Sequence, residues 1–312
     1  MGAILNRSKF QDPVTTASGE TRATVSLLSL QTLWINTGTL CNLTCANCYI
    51  ESSPTNDRLL YITKAEVNSF LEEIAVSGLE TNEIGFTGGE PFMNPEIIDI
   101  LEATLSHDFR ALVLTNAMRP MAKMQDGLLE LRKKYNEKLV LRVSLDHYDH
   151  IYHEKERGAR TWEPAIEGLR WLSKKGFTLS IAGRTVWDED EGALRTGYGR
   201  LFKEIGLNLN PHNPVDLVLF PEMDEMVDVP EITTDCWSIL GISPEAMMCA
   251  SSRMVVKKKG SDRPVVVPCT LLPYDDRFEM GHTLADAAVD VPLNHPHCSK
   301  FCVLGGGSCS AN

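Results

Sequence analysis

The sequence lacks any long hydrophobic run and any recognisable targeting segment at its start. None of its apolar stretches approaches the roughly 18 residues that a membrane-spanning helix needs. The first residues do not follow the pattern of a signal peptide, in which a charged segment precedes an apolar one. These absences argue against a membrane-bound or secreted protein. They predict a chain that has no membrane partner and works in the cytoplasm.

Positive charge is also scarce. The 312 residues include 30 lysines and arginines against 42 aspartates and glutamates, which gives a formal net charge of −12. Proteins that bind nucleic acids usually show the opposite imbalance, so we expect no nucleic-acid partner. Hydrophobic residues make up 43% of the chain, which is enough for a sizeable core and argues against wholesale disorder.

Cysteine is the most informative residue that is present. The chain has nine cysteines, and in a reducing compartment an odd number of thiols favours metal ligands over disulfides. Cys41, Cys45 and Cys48 form a C-x3-C-x2-C run that ends just before Tyr49. Three thiolates can hold three corners of a cubane 4Fe–4S cluster and leave the fourth iron open to a substrate or cosubstrate. A zinc site with a borrowed fourth ligand and three unrelated thiols are the alternatives.

Between residues 33 and 220 the apolar pattern alternates between strand and helix. Five helices are predicted there, and the first has a capping box at Thr63 and Glu66 and ends at Gly78. Six short strands are predicted at residues 33–36, 83–87, 111–115, 139–145, 177–186 and 216–220. This alternation predicts an α/β protein with parallel strands and right-handed crossovers. The stretch is too short for a closed eight-fold barrel, so we expect a partial (β/α)6 TIM-type barrel.

The remaining segments differ from the barrel in composition. The polar N-terminal residues predict a loose leader or a short edge element, and residues 222–245 contain acidic side chains but no Lys or Arg, which predicts a solvated face. A hairpin is predicted from residues 254–258 and 264–267. We therefore expect a leader (1–30), the barrel (31–221), an acidic bridge (222–248) and a small cysteine-rich domain (249–312).

A second motif, Thr87-Gly88-Gly89-Glu90-Pro91, comes directly after the second strand. Two glycines before a proline are common in turns, but at the carboxyl end of a parallel strand they also let a ligand approach the backbone. His147, His150 and His153 recur after the fourth strand, and we interpret them as a polar helix face. Later strands end in polar residues that would meet at one mouth of the barrel, although each could equally be a strand terminus or a helix cap: Asn116, Ser144, Asp146 and Arg184.

On the cysteine run and the Gly88-Gly89-Glu90-Pro91 segment, the chain resembles the radical S-adenosylmethionine (SAM) superfamily. The resemblance implies a 4Fe–4S cluster on the three clustered cysteines, with SAM bound at the open iron. It also implies that the Gly-Gly-Glu-Pro segment engages the amino group of the SAM methionine. Ser144 and Asp146 would lie near the ribose, and Arg184 near the carboxylate, to which a guanidinium can donate two parallel hydrogen bonds. The expected SAM-binding residues are Tyr49, Gly88, Gly89, Glu90, Pro91, Asn116, Ser144, Asp146 and Arg184.

The C-terminal cysteines form a third group. Two of them flank the predicted hairpin and two follow later, and together they resemble the twitch module, a shortened relative of the SPASM module. The resemblance implies an auxiliary 4Fe–4S cluster on Cys249, Cys269, Cys298 and Cys302. The last pair departs from that family, because its spacing is C-x3-C where the family has C-x2-C. Cys236 or Cys309 as a replacement ligand, His295 or His297 as a ligand, and a structural zinc site stay open as alternatives.

The resemblance also implies a reaction. A reductant such as flavodoxin or ferredoxin reduces the first cluster, and SAM is cleaved to methionine and a 5′-deoxyadenosyl radical that abstracts hydrogen from a substrate. An auxiliary cluster would bind the substrate or take an electron from it, which would make the reaction a net oxidation. No catalytic acid, base or hydrogen donor is assigned.

Three hypotheses for the function compete. A small-molecule substrate is favoured, because only 40 residues precede Cys41 and an N-terminal peptide-recognition domain needs more. The first alternative is a SPASM-type maturase that modifies a peptide or protein. The second is a non-enzymatic iron–sulfur or zinc protein, which would leave the Gly88-Gly89-Glu90-Pro91 segment unexplained.

Overall fold

The computed structural model describes residues 8–185, 187–221 and 227–307. An eight-stranded sheet forms its centre, in the order β7-β6-β5-β4-β3-β2-β8-β9, and a two-stranded sheet joins β1 to β10. The strands β2 to β7 are all parallel to their neighbours. The strands are β1 (Thr24–Val25), β2 (Thr32–Asn36), β3 (Glu83–Thr87), β4 (Arg110–Thr115), β5 (Leu139–Ser144), β6 (Thr178–Arg184), β7 (Leu217–Phe220), β8 (Ser252–Val256), β9 (Val265–Val267) and β10 (Val291–Pro292).

Helices connect the parallel strands, as the alternating pattern predicts. The α-helices in the described ranges are α1 (Lys64–Ser77), α2 (Ile97–Ser106), α3 (Arg119–Ala122), α4 (Gln125–Tyr135), α5 (His150–Arg157), α6 (Trp162–Lys174), α7 (Glu191–Ile205) and α8 (Cys236–Leu240). The predicted partial barrel of six parallel strands is confirmed. Its fifth strand ends at Arg184, and Val186, which the pattern includes in it, lies outside the described residues. None of the helices in these ranges combines the length and the apolar character that crossing a membrane requires.

The first helix shows how local sequence determines an element. Thr63 Oγ1 accepts a hydrogen bond from the Glu66 amide at 3.3 Å, and Glu66 Oε2 accepts one from the Thr63 amide at 2.9 Å. This capping box satisfies two of the amides that the start of a helix leaves unpaired. The helix ends at Gly78, whose φ of 65° lies in the left-handed region that glycine adopts without strain.

Alternate side chains along a strand pack into two different hydrophobic cores, one between the sheet and the helices and one inside the barrel. In β2, Leu33 and Ile35 pack against the helices, whereas Trp34 points to the inside of the barrel. The Trp34 ring occupies the space beside Gly85 on β3, where an added Cβ would lie 2.4 Å from a ring carbon. The inner core continues into the C-terminal region, so the barrel and that region share one apolar interior.

The C-terminal hairpin extends the barrel sheet. The predicted hairpin is present as the antiparallel pair β8 and β9. Strand β8 also pairs in parallel with β2, from Thr32 opposite Ser252 to Ile35 opposite Val255. Backbone hydrogen bonding therefore crosses the predicted boundary at residue 249, and the division of the chain into two domains stays a prediction.

The N-terminal segment is packed over residues 8–30, and of the two predictions for it, a loose leader or a short edge element, the structure has the second. Strand β1 pairs with β10 through Thr24 and Pro292, so the start of the chain closes over its C-terminal region. Arg22 is buried and donates to Glu231 Oε1 at 2.5 Å. The acidic bridge is therefore only partly a solvated face: Glu231 is buried as the partner of Arg22, and residues 222–226 lie outside the described residues.

Candidate functional site

The three clustered cysteines line a cavity at the carboxyl ends of the parallel strands. The cavity has a volume of about 150 Å³, and Cys41, Cys45 and Cys48 form part of its wall. Seven of the nine predicted SAM-binding residues line the same cavity: Tyr49, Gly88, Gly89, Asn116, Ser144, Asp146 and Arg184. Residues that are far apart in the sequence meet there because parallel strands all end at one edge of the sheet. The other two predicted residues, Glu90 and Pro91, do not reach the cavity.

The cysteines have the chemistry of soft metal ligands. All three are free thiols. Burial raises the pKa of Cys41 to about 12 and that of Cys45 to about 11, although the nearby Arg157 guanidinium lowers the latter. Backbone amides of Leu43 and Ser52 donate to the sulfurs of Cys41 and Cys48, each at 3.4 Å. A metal would displace the thiol protons, so the residues present fit an iron–sulfur cluster that three cysteines hold.

The two glycines of the second motif bring the end of β3 against the cysteine loop. A Cβ on Gly89 would lie 2.1 Å from the carbonyl oxygen of Leu40, and one on Gly88 would lie 2.4 Å from that of Gly38. The amide of Gly89 donates to Gly38 at 2.8 Å, and that of Glu90 donates to Leu40 at 3.1 Å. Backbone of the cysteine loop therefore fills the space that the missing side chains leave. The glycines hold Cys41 in place and also form part of the cavity wall.

Glu90 supports the site from behind its wall. The side chain is buried and accepts hydrogen bonds from Thr115 Oγ1 at 2.7 Å, the Asn116 amide at 2.8 Å and the Phe92 amide at 3.2 Å. These bonds tie the end of β4 to the turn after β3. Pro91 is buried as well and opens that turn. Glu90 and Pro91 therefore do not line the cavity, and they brace residues that do; their predicted contact with the SAM amino group stays a prediction.

The buried carboxyl of Glu90 predicts a pH-dependent stability. Burial raises the pKa of Glu90 to about 7. The hydrogen bonds that it accepts lower the pKa, but their effect is smaller than that of burial. The unfolded chain releases this proton near its usual pKa of about 4.3, whereas the folded chain keeps it up to about 7. The metal-free protein should therefore lose stability as the pH rises from about 4.5 to about 7, by about 3 kcal/mol at most, since one pKa unit is worth about 1.4 kcal/mol.

Urea unfolding at about pH 5 and about pH 8 measures this effect. The Glu90→Gln variant should show a smaller difference between the two pH values than the unmodified chain. Glu163→Gln, at an exposed position of α6, is the matched control and should keep the full difference. If Glu90→Gln also keeps the full difference, the carboxyl of Glu90 is not the group responsible.

Helix α5 supplies site residues that the sequence analysis missed. Glu156 and Arg157, in its last turn, line the cavity. Arg157 donates to Asp146 through Nε at 2.5 Å and Nη2 at 3.3 Å, and Arg184 Nη1 donates to Glu156 at 2.7 Å. The predicted Asp146 and Arg184 thus each have a protein partner of opposite charge. The sequence did contain a signal for them: Glu156 and Arg157 are adjacent opposite charges on the helix that follows β5 and Asp146.

The histidines near α5 do not form a polar face. His147 and His153 are buried, and only His150 is exposed. His147 Nε2 lies 3.1 Å from Glu189 Oε2, and its Nδ1 accepts from the Asp149 amide at 2.9 Å. Burial lowers the pKa of both His147 and His153, the latter to about 4. The interpretation of these histidines as one solvated surface is therefore wrong.

The C-terminal cysteines meet at a second cavity. Its volume is about 20 Å³, and all four predicted auxiliary ligands line it: Cys249, Cys269, Cys298 and Cys302. The other lining side chains are apolar except for that of His297. His297 therefore stays an alternative ligand. Cys236 does not line this cavity, and its sulfur accepts a hydrogen bond from the Thr233 amide at 3.4 Å. Cys309 lies outside the described residues.

An aromatic pair connects the wall of the first cavity to the segment that carries two of the C-terminal cysteines. Phe220, at the end of β7, lines the first cavity. Phe301 lies in the helical segment Cys298–Val303, between two cysteines of the second cavity. The two rings stack with centroids 6.0 Å apart and planes inclined by 29°.

Fold and site together define the class: a partial parallel barrel with three cysteines in the wall of a cavity at the carboxyl edge of its sheet. The family model of the radical SAM superfamily matches residues 35–191, which is half of the chain. The chain therefore belongs to the radical SAM superfamily, as its cysteine run and Gly-Gly-Glu-Pro segment indicate. This family uses a 4Fe–4S cluster and SAM, and the chain also has a C-terminal cysteine-rich region.

Individual relatives show a more specific likeness. The chain is 28% identical, over 181 residues, to the antilisterial bacteriocin subtilosin biosynthesis protein AlbA of Bacillus subtilis strain 168, covering 56% of this chain and 37% of AlbA. Streptococcus suis SuiB bound to the precursor peptide SuiA superposes with a TM-score of 0.59 and 13% identity, over 82% of this chain and 63% of SuiB. The structure of anSMEcpe with bound AdoMet and Cp18Cys peptide superposes with a TM-score of 0.56 and 16% identity, over 82% of this chain and 79% of anSMEcpe. The chain thus spans little more than a third of AlbA.

The relatives overturn one expectation. A small-molecule substrate is favoured above because few residues precede Cys41, but SuiB and anSMEcpe are both solved with peptides bound. The expectation that a small molecule is the more probable partner is therefore wrong.

Proposed function

We propose that this radical SAM enzyme is a maturase that modifies a peptide or protein. The similarity to a bacteriocin biosynthesis protein carries the assignment of the substrate class. The peptide complexes of two proteins with the same fold support it. A barrel that is open along one side suits such a substrate, since a chain segment can enter without being threaded through a closed ring.

The residues around the first cavity have distinct proposed roles. Cys41, Cys45 and Cys48 hold the cluster. Arg184 binds the SAM carboxylate through Nη2, which is buried and has no hydrogen-bond partner among the described residues. A buried donor without a partner costs about 1–3 kcal/mol, so this atom favours an anionic ligand in the cavity. Ser144 and Asp146, at the end of β5, lie near the ribose.

The bound cofactors supply the reactive 5′-deoxyadenosyl radical, and the protein supplies position and exclusion of water. Apolar side chains, including Leu114 and Phe220, line part of the first cavity. They keep water from the place where a substrate hydrogen is removed. Cys249, Cys269, Cys298 and Cys302, which line the second cavity, hold an auxiliary cluster.

Transfer of a substrate hydrogen tests this function. The reconstituted, reduced protein is incubated with SAM and with deuterated peptides encoded beside its gene, without oxygen. We expect deuterium in 5′-deoxyadenosine and a mass change in one peptide, both of which the Cys45→Ala variant should lack. If 5′-deoxyadenosine forms but takes up no deuterium from any peptide, the proposed substrate class is wrong.

A further inference from the structure

The side chain of Glu156 lies between the cysteine loop and Arg184. It is buried at the end of α5, and Oε1 accepts from Arg184 Nη1 at 2.7 Å and from the Asn47 amide at 2.9 Å. Oε2 accepts from Asn47 Nδ2 at 2.8 Å. Both carboxylate oxygens are thus engaged, and every donor comes either from the turn between two cluster cysteines or from the predicted SAM-binding arginine.

The turn between Cys45 and Cys48 depends on these contacts. It contains two residues, Ala46 and Asn47. The Ala46 amide donates to the main-chain oxygen of Glu156 at 2.8 Å, and Arg184 Nη1 also donates to the carbonyl oxygen of Asn47 at 3.2 Å. The peptide groups on both sides of Asn47 are therefore fixed, one by a carboxylate and the other by a guanidinium. The direction in which the two flanking cysteines point follows from that turn.

Arg184 is oriented by the same carboxylate. Its Nη1 is used by Glu156 and Asn47, and this leaves Nη2 as the buried, unpartnered donor on the side of the cavity. Guanidinium nitrogens lie in one rigid plane, so fixing one of them fixes the direction of the other. Arg157 cannot replace Arg184 as the donor to an anionic ligand, because its guanidinium already donates two hydrogen bonds to Asp146.

We propose that Glu156 is a positioning residue, which sets the turn between Cys45 and Cys48 and directs the free nitrogen of Arg184 at the SAM carboxylate. This inference rests on the proposed role of Arg184. In this role Glu156 acts through its two neighbours, Asn47 and Arg184, and so couples cluster geometry to SAM binding.

Binding of SAM to the reconstituted, oxidised protein tests the coupling without any turnover. Dissociation constants are measured by equilibrium dialysis for Glu156→Gln, Arg184→Gln and the double variant. We expect each single variant to bind SAM about tenfold more weakly, a loss of about 1.4 kcal/mol. The double variant should bind no more weakly than Arg184→Gln, because Glu156 then has no guanidinium left to direct. Glu167→Gln, exposed on α6, is the control and should bind SAM normally.

The rate at which a chelator removes iron tests the contact of Glu156 with the turn between Cys45 and Cys48. Glu156→Gln should release iron several times faster than the control. Asn47→Asp should do the same without any change to α5, because it sets a carboxylate against that of Glu156. This second variant keeps the test decisive if Glu156→Gln folds poorly, which urea unfolding of the metal-free proteins would reveal.

Three results would overturn the inference. If the effects on SAM binding multiply in the double variant, Glu156 does not act through Arg184. If Glu156→Gln binds SAM normally while Arg184→Gln does not, Glu156 does not orient the arginine. If Arg184→Gln itself binds SAM normally, the arginine does not reach SAM, and that result removes its proposed role without bearing on the peptide as substrate.

Discussion

Replacing Cys45 with alanine should abolish SAM cleavage and leave about half of the iron. Two cubane clusters contain equal amounts of iron, so the loss of one cluster removes half of the total. Cys45 lines the first cavity, so its loss takes one corner from the proposed cluster while the second cavity keeps its four thiols. Cys269→Ala should also lose about half of the iron but keep measurable cleavage, because Cys269 lines the second cavity and not the first.

Iron analysis and 5′-deoxyadenosine formation after reconstitution measure both effects. Cys236→Ala is the matched control, because Cys236 lines neither cavity. It should keep all of the iron and the full rate of cleavage. Unchanged iron in both Cys45→Ala and Cys269→Ala would show that neither set of cysteines binds a cluster.

The Gly89→Ala substitution should destabilise the metal-free protein by about 3 kcal/mol, in the upper part of the range for overpacking. The added methyl group would lie 2.1 Å from the carbonyl oxygen of Leu40, and a backbone atom cannot move aside as a flexible side chain can. The loop that begins at Leu40 would shift, so reconstitution at Cys41 should fail as well. The urea midpoint and the iron content per chain give the two measurements.

Gly192→Ala provides the comparison for this effect. Gly192 lies in the first turn of α7, and the only atom near an added Cβ is the end of the Asp190 side chain, at 3.0 Å. Alanine there should be neutral or stabilise the helix by up to about 1 kcal/mol. If Gly89→Ala behaves like Gly192→Ala, the close contact between β3 and the cysteine loop does not support the site.

Local patterns were sufficient to predict much of the fold and most of the cavity wall. The strand periodicity locates β2 to β7, and the capping box at Thr63 marks the start of α1. Seven predicted SAM-binding residues line one cavity because they lie at the carboxyl ends of parallel strands or in the loops after them, and these ends all meet at one edge of the sheet. The functional assignment of individual residues nevertheless stays a prediction.

The missed features all depend on contacts between distant segments. Glu156 was overlooked because its partners, Asn47 and Arg184, are 109 and 28 positions away in the chain. Nothing near Glu90 in the sequence shows that its carboxylate turns away from the cavity toward Thr115 and Asn116. The pairing of Arg22 with Glu231 joins residues separated by 209 positions, and only the assembled fold brings them together.

The parallel pairing of β8 with β2 affects how the protein can be divided. If the chain were cut before residue 249, the hydrogen-bonding groups along one side of β2 would face solvent. An unprotected strand of this kind, rich in apolar side chains, recruits other chains and leads to aggregation. The barrel would therefore be a poor candidate for expression as a fragment, and the cysteine-rich region protects the rest of the molecule from self-association whether or not it carries iron.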